Sequence, residues 1–148
     1  MKYLIGKNDK NLKPFYMDWG AIGSHLLVGG PFQSGRTSLL KTIALSMMYQ
    51  YSPVEVNIVL FDASRKSLGD LADLPHVIDW VTGEDKFSEN IAHLQNELSV
   101  RRKNEELGVD EQYPEIIFIF DDYDLARDAM GINEEILLSL GKSVRQDS

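Results

Sequence analysis

Cysteine is absent from the chain, which removes both a disulfide framework and a thiolate metal site and fits a reducing compartment. No apolar run is long enough to cross a bilayer, and the N-terminus lacks the charged-then-apolar layout of a secretion signal. Any membrane link must therefore come from a partner or from a part of a longer protein outside this sequence. Basic residues are scarce: 15 Lys and Arg stand against 23 Asp and Glu, a formal charge of -8, which disfavours a surface built for nucleic-acid phosphates. The three histidines, His25, His76 and His93, share no metal-ligand spacing and read as packing or capping groups. There is no nucleophile elbow, no carboxylate pair arranged for glycoside chemistry, no internal repeat and no low-complexity tract. What is present is 148 residues, one domain's worth of chain with enough apolar residues for a sizeable core. A single domain over residues 1–148 is expected.

Residues up to Gly23 mix Tyr3, Leu4, Ile5, Phe15, Tyr16, Met17 and Trp19 with an Asn-Asp-Lys-Asn turn, which predicts a short hairpin ahead of the core, covering one sheet edge. His25–Val28 reads as a buried strand. From Thr37, the positions Leu39, Leu40, Ile43, Ala44, Met47 and Met48 fall along one side of a helix that ends at Ser52-Pro53. Val54–Phe61 is β-branched and apolar and closes on Asp62, as a strand buried on both faces of a parallel sheet does. After a loop through Ser64–Leu71 come Leu74-Pro75-His76-Val77-Ile78 and a helix from Glu84 to Leu107, whose Phe87, Ile91, Leu94 and Leu98 form an inward stripe and which Gly108 stops. Strands alternating with helices predict an α/β fold, a mainly parallel sheet wrapped by helices on both faces. Trp19 and Trp80 read as core or edge packing rather than a partner groove. Arg101-Arg102-Lys103 before Glu105-Glu106 reads as a solvated helix end.

Between the first predicted strand and helix lies Gly30-Pro31-Phe32-Gln33-Ser34-Gly35-Arg36-Thr37, with the spacing of a phosphate-binding P-loop, G-x-x-x-x-G-K-[ST]. That pattern works because loop N–H groups and a helix N-terminus surround the phosphates, the lysine bridges the outer two, and the hydroxyl ligates magnesium. Gly30 and Gly35 hold the glycine positions and Thr37 the hydroxyl; Ser34, Arg36 and Ser38 complete the candidate cofactor-binding set. Arg36, however, replaces a compact ammonium with a planar, bulkier fork, so turnover should suffer more than binding. Gln33 stands where such loops often carry glycine, at a backbone angle that glycine adopts freely. Taken alone, the segment is also compatible with a tight strand-to-helix turn.

A second apolar run, Ile116–Phe120, leads into Asp121-Asp122-Tyr123-Asp124. In P-loop ATPases such a strand delivers a carboxylate to the magnesium shell from the carboxyl edge of the sheet. Asp121 is the candidate for that task, with Thr37 the second magnesium ligand. Asp122 occupies the catalytic position that normally holds a water-polarising glutamate, one methylene longer. On its own, the aspartate cluster is also compatible with a solvated turn or helix cap.

These blocks together resemble the FtsK/SpoIIIE class of RecA-like motor ATPases over nearly the whole chain. The resemblance runs through Tyr3–Asn8 and Phe15–Asp18, then Ser24–Gly30, then Asp62–Lys66, then Leu71–Val77 with its leucine-proline-histidine, and Gln95–Arg102. Within the class, Gly35–Thr42 and Phe120–Asp124 look most like the later, degenerate ATPase domains of the EssC/EccC proteins of type VII secretion. The resemblance implies a cytoplasmic domain of a membrane-anchored protein, ATP and magnesium as weakly held or lost cofactors, and neighbouring ATPase domains and a WXG100-type exported protein as partners, with no nucleic acid. It also implies a trans-acting arginine, for which Arg65, Arg101, Arg102, Arg127 and Arg145 are open candidates, and a further central strand after Leu140–Ser148, so that the chain reads as a fragment.

Three functions compete. The first is a nucleotide-binding, weakly active or inactive ATPase domain of a secretion motor. The second is a docking scaffold, for the exported protein or a neighbouring domain, that binds no nucleotide. The third, a DNA-pumping motor, is disfavoured by the acidic charge and by Arg36.

Overall fold

The strand β3, Val56–Asp62, organises the molecule, because its residues alternate between two cores. Val56, Ile58 and Leu60 point to one side and Val59 and Phe61 to the other, all five without exposed surface. The computed structural model describes residues 2–22, 25–63, 67–109 and 111–130. β3 pairs in parallel with β4, Val77–Val81, and with β5, Glu115–Asp121, in the order β4-β3-β5. A separate antiparallel hairpin is formed by β1, Lys2–Lys7, and β2, Pro14–Asp18, with a register shift between Leu4 and Gly6. A short helix α1, Trp19–Ile22, follows it.

Helix α2, Arg36–Gln50, covers one face through Ile43, Ala44 and Met47, which meet Val56, Ile58, Leu60, Ile117 and Ile119. Helix α3, Glu84–Glu106, and helix α4, Tyr123–Met130, cover the other through Phe87 and Ala126. There Phe61 stacks on Phe120 at 4.4 Å and on Phe87 at 5.3 Å between ring centroids. Truncating such a ring costs about 3–5 kcal/mol, so these contacts rank among the larger contributions to the fold. α3 ends where Gly108 takes φ 68 and its N–H reaches the carbonyl of Glu105 at 2.9 Å, the left-handed stop its position predicts.

Three expectations need correction. His25–Val28 forms no strand: residues 25–30 are irregular and Leu27 is 88% exposed. An apolar run is buried on two faces only if a neighbour supplies its ladder bonds, and among the described residues β3 alone pairs with β5. The hairpin does not cover a sheet edge; it lies on α2, with Tyr3, Ile5, Met17 and Trp19 joining the α2 core. β3 begins at Val56 rather than Val54, because Glu55 and Val56 first close a turn onto the carbonyl of Ser52. Gly23, Ser24, Ser64–Lys66 and Leu140–Ser148, which entered the sequence reading, lie outside the described residues.

Candidate functional site

Residues of β5 that face α2 are Ile117 and Ile119, so the two-residue period puts Asp121 on the α2 face at the carboxyl end of the strand. Thr37, one residue into α2, meets it there. The Thr37 hydroxyl donates to the Asp121 carboxylate, with Oγ1 at 3.1 Å from Oδ1 and 3.0 Å from Oδ2. A loop and a strand separated by 84 positions thus meet at one rim of the parallel sheet.

The loop between Gly30 and α2 is bent by residues with positive φ. Gly35 takes φ 87 at the head of the helix, and Gln33 takes φ 59 at the position where glycine is expected. Ser34 N–H closes the bend onto the Pro31 carbonyl at 3.2 Å. A Cβ on Gly30 would lie 2.5 Å from Ser34 Oγ and 3.6 Å from Arg36 Cγ, so the Arg36 stem runs back beside the bare Gly30 backbone. Phe32–Ser38 line an open depression of about 360 Å³. α2 begins with no side-chain cap and no acid in its first turn, and its first intrahelical N–H comes from Leu39 to Gly35 O at 2.9 Å. The amides of the turn before Leu39 belong to the helix start, whose N–H groups lack intrahelical acceptors and which carries the positive end of the helix dipole.

Asp122 takes φ 58 and is exposed; its carbonyl accepts from Ala126 N–H at 3.0 Å, and Oδ1 faces Leu125 N–H at 3.5 Å. The structure therefore brings Gly30, Ser34, Gly35, Arg36, Thr37, Ser38 and Asp121 to one rim, whereas the Asp122 carboxylate turns to the start of α4.

One residue of this rim was not singled out from sequence. Asp62, in register with Asp121 and fully buried, accepts from Ser67 Oγ at 2.9 Å, Ser67 N–H at 3.2 Å and Leu68 N–H at 3.0 Å. It fixes the loop beyond β3, whose Asp70 pairs with Lys41 of α2 at 2.8 Å. A polar residue ending a two-sided apolar strand is the signal that could have found it.

Of the arginines considered for a trans role, Arg101 is held by Glu97 at 3.0 Å, by the Pro114 carbonyl at 2.7 Å and over the Tyr113 ring. Arg127 pairs with Asp124 and Asp128, Arg102 is exposed, and Arg65 and Arg145 lie outside the described residues. His76 is a capping group: its Nε2 lies 2.7 Å from the Tyr51 carbonyl past the end of α2. Trp19 and Trp80 pack against the α2 core, Trp80 within 3.0 Å of where a Gly69 Cβ would stand. Among the described residues no group of three or more His, Asp or Glu could hold a metal by itself, and no helix is long and apolar enough to cross a membrane.

Comparison with known proteins places this geometry. The FtsK/SpoIIIE family profile matches residues 2–121. The ESX secretion system protein EccC of Thermomonospora curvata is 25% identical over 128 residues, 82% of this chain and 10% of that protein. The type VII secretion system protein EssC of Staphylococcus aureus MRSA252 is 28% identical over 134 residues, 82% of this chain and 9% of its own length. The chain thus spans about a tenth of the length of these relatives. The solved cytoplasmic domain of EssC superposes with a TM-score of 0.78 at 24% identity, over 93% of this chain and 30% of that one. Thermomonospora curvata EccC (ATPases 2 and 3), in complex with a signal sequence peptide, does so with 0.70 at 21% identity, over 89% and 26%. These likenesses establish the RecA-like α/β fold, and because the family profile runs from β1 to the aspartate that closes β5, the chain belongs to the FtsK/SpoIIIE family.

Proposed function

We propose that the chain is a nucleotide-binding ATPase domain of a type VII secretion motor, weakly active or inactive in hydrolysis. The observation that carries this reading is the Thr37 hydroxyl on the Asp121 carboxylate at the rim where the glycine-bounded loop enters α2. The chain's residues fit a magnesium nucleotide: an uncapped helix start without acids suits an anion, and a hydroxyl beside one carboxylate suits magnesium, which completes its shell with water and phosphate oxygens. Bound ATP would supply a transferable phosphoryl group. Ser34, Gly35 and the first amides of α2 would hold the phosphates, Gly30 would keep the approach open, and Thr37 with Asp121 would hold the metal.

Hydrolysis is the weaker half. A guanidinium whose stem lies against Gly30 does not supply the point charge of a lysine, and a carboxylate turned toward Leu125 N–H is poorly placed to polarise water. By kinship with EccC and EssC, the domain would work on the cytoplasmic side within a longer membrane-anchored protein, beside further ATPase domains, in export of WXG100-type proteins. The docking-scaffold reading keeps support from one observation: Leu26–Val28 is not laddered beside β5, so the loop lacks a strand anchor. DNA translocation is not favoured, given the net charge of -8.

Calorimetric titration with magnesium-ATP, on this chain and on Arg36→Ala, tests the choice. Saturable binding that weakens at least about tenfold in the variant supports nucleotide binding. Heat-silent titrations of both, with no shift in melting temperature, would leave the scaffold reading.

A further inference from the structure

We propose that Phe32 is the platform on which the base of a bound nucleotide stacks, so that the site takes adenine and guanine nucleotides alike. This rests on the nucleotide reading of the loop from Gly30 to Thr37 and adds a base subsite to the residues that face the phosphates. Phe32 is 85% exposed, joins neither apolar core and meets no other ring among the described residues. Burial therefore gives no reason for a phenylalanine here. Local geometry gives none either: Ser34 N–H closes onto Pro31 O at 3.2 Å with Gln33 at φ 59, the type II pattern, in which the second residue, Phe32, need not be aromatic. What Phe32 has instead is a place on the wall of the depression of about 360 Å³, which it shares with residues 33–38.

The two parts of that depression differ in chemistry. Toward α2 it offers an uncapped helix start, the Ser34 and Ser38 hydroxyls and the Arg36 guanidinium, which suit an anion. Toward the turn it offers the aromatic side chain of Phe32, which suits a flat group. Successive Cα atoms are about 3.8 Å apart, so Phe32 and Gly35 lie within about 11 Å of each other. A phosphoester of a planar heterocycle matches both parts at once. An inorganic polyphosphate matches only the first, and an apolar peptide only the second. Stacking uses a π-face that every base has and reads no base edge, hence the tolerance between adenine and guanine.

Calorimetry tests it on the chain and on Phe32→Ala, with the magnesium complexes of ATP, GTP and inorganic tripolyphosphate as titrants. The parent is expected to bind ATP and GTP within about threefold of each other, and Phe32→Ala to lose at least about tenfold toward both while holding tripolyphosphate within about twofold. Because the ring is exposed and outside both cores, Phe32→Ala should melt with the parent, which separates stacking from folding. Phe32→Trp reads the contact directly: with the parent's Trp19 and Trp80 emission subtracted, its fluorescence should be quenched by ATP and not by tripolyphosphate. Three results overturn the proposal alone. One is ATP held as tightly by Phe32→Ala as by the parent, which would assign the ring to a protein contact. Another is tripolyphosphate affinity lost together with that for nucleotides, which would make the ring a support of the loop. The third is ATP preferred over GTP by about tenfold or more. A parent that binds none of the three titrants removes the nucleotide reading itself, and the base platform with it.

Discussion

Gln33 shows how a single residue can strain a loop without removing it. Its φ of 59 is the angle a glycine would take freely, and a side-chain-bearing residue there costs about 1–2 kcal/mol. Replacing it by glycine removes that strain but gives the unfolded chain more freedom, worth about 0.5–1 kcal/mol in the other direction. The steric effect is the larger, so Gln33→Gly should stabilise the domain by up to about 1 kcal/mol in urea denaturation, whereas Gln33→Ala, which keeps the strain, should change little. At this scale the meeting of Thr37 and Asp121 in the candidate site is legible in sequence. Loop spacing marks Thr37 and strand period marks Asp121, and each signal is local. The anchoring role of Asp62 is not legible, because its donors include the backbone amides of residues 67 and 68, which leave no side-chain signature. The turning of Asp122 toward α4 depends on a positive φ that an aspartate tolerates but does not announce.

Among the elements, α2 does the most to position the site, and both of its ends are tied. Its start carries Thr37 and its middle carries Lys41, paired to Asp70. Past its end, the Tyr51 carbonyl meets buried His76 at 2.7 Å, and Tyr51 Oη donates to Lys2 O at 2.8 Å. Removing the imidazole leaves that carbonyl without its partner, so His76→Ala should cost about 1–3 kcal/mol, read as a lowered melting temperature. The turn from α2 into β3 adds a pH dependence. The Ser52 backbone N–H and then its hydroxyl donate to Glu55, holding its carboxyl below the ordinary 4.5. A depressed folded-state pKa means the turn's contribution is present above 4.5 and is lost as pH falls through the folded value. Glu55→Gln should therefore lower the melting temperature at neutral pH, where the carboxylate contributes, and flatten the acid limb below about pH 4.5, so that the two profiles converge in acid. Helix and central strands were legible because period and length agree; the His25–Val28 strand was misread because hydrophobicity reports a wish for burial, while a strand needs a neighbour's hydrogen bonds.

The whole molecule joins two distant sequence signals through one parallel pairing. β5 lies beside β3 in unbroken register from Val56 and Glu115 to Asp62 and Asp121, and α2 packs across the face on which Asp121 emerges. The proposed magnesium-nucleotide rim rests on that arrangement rather than on any one residue, and the proposal requires that Thr37 and Asp121 act as a unit. The most direct measurement is a double-mutant cycle on magnesium-dependent ATP affinity, by calorimetry, with Thr37→Ala, Asp121→Ala and the pair. Each single variant is expected to lose at least about tenfold and the double variant little more than either, the non-additivity of groups that share one contact. Fully additive losses, or single variants that bind as the parent does, would refute a shared site.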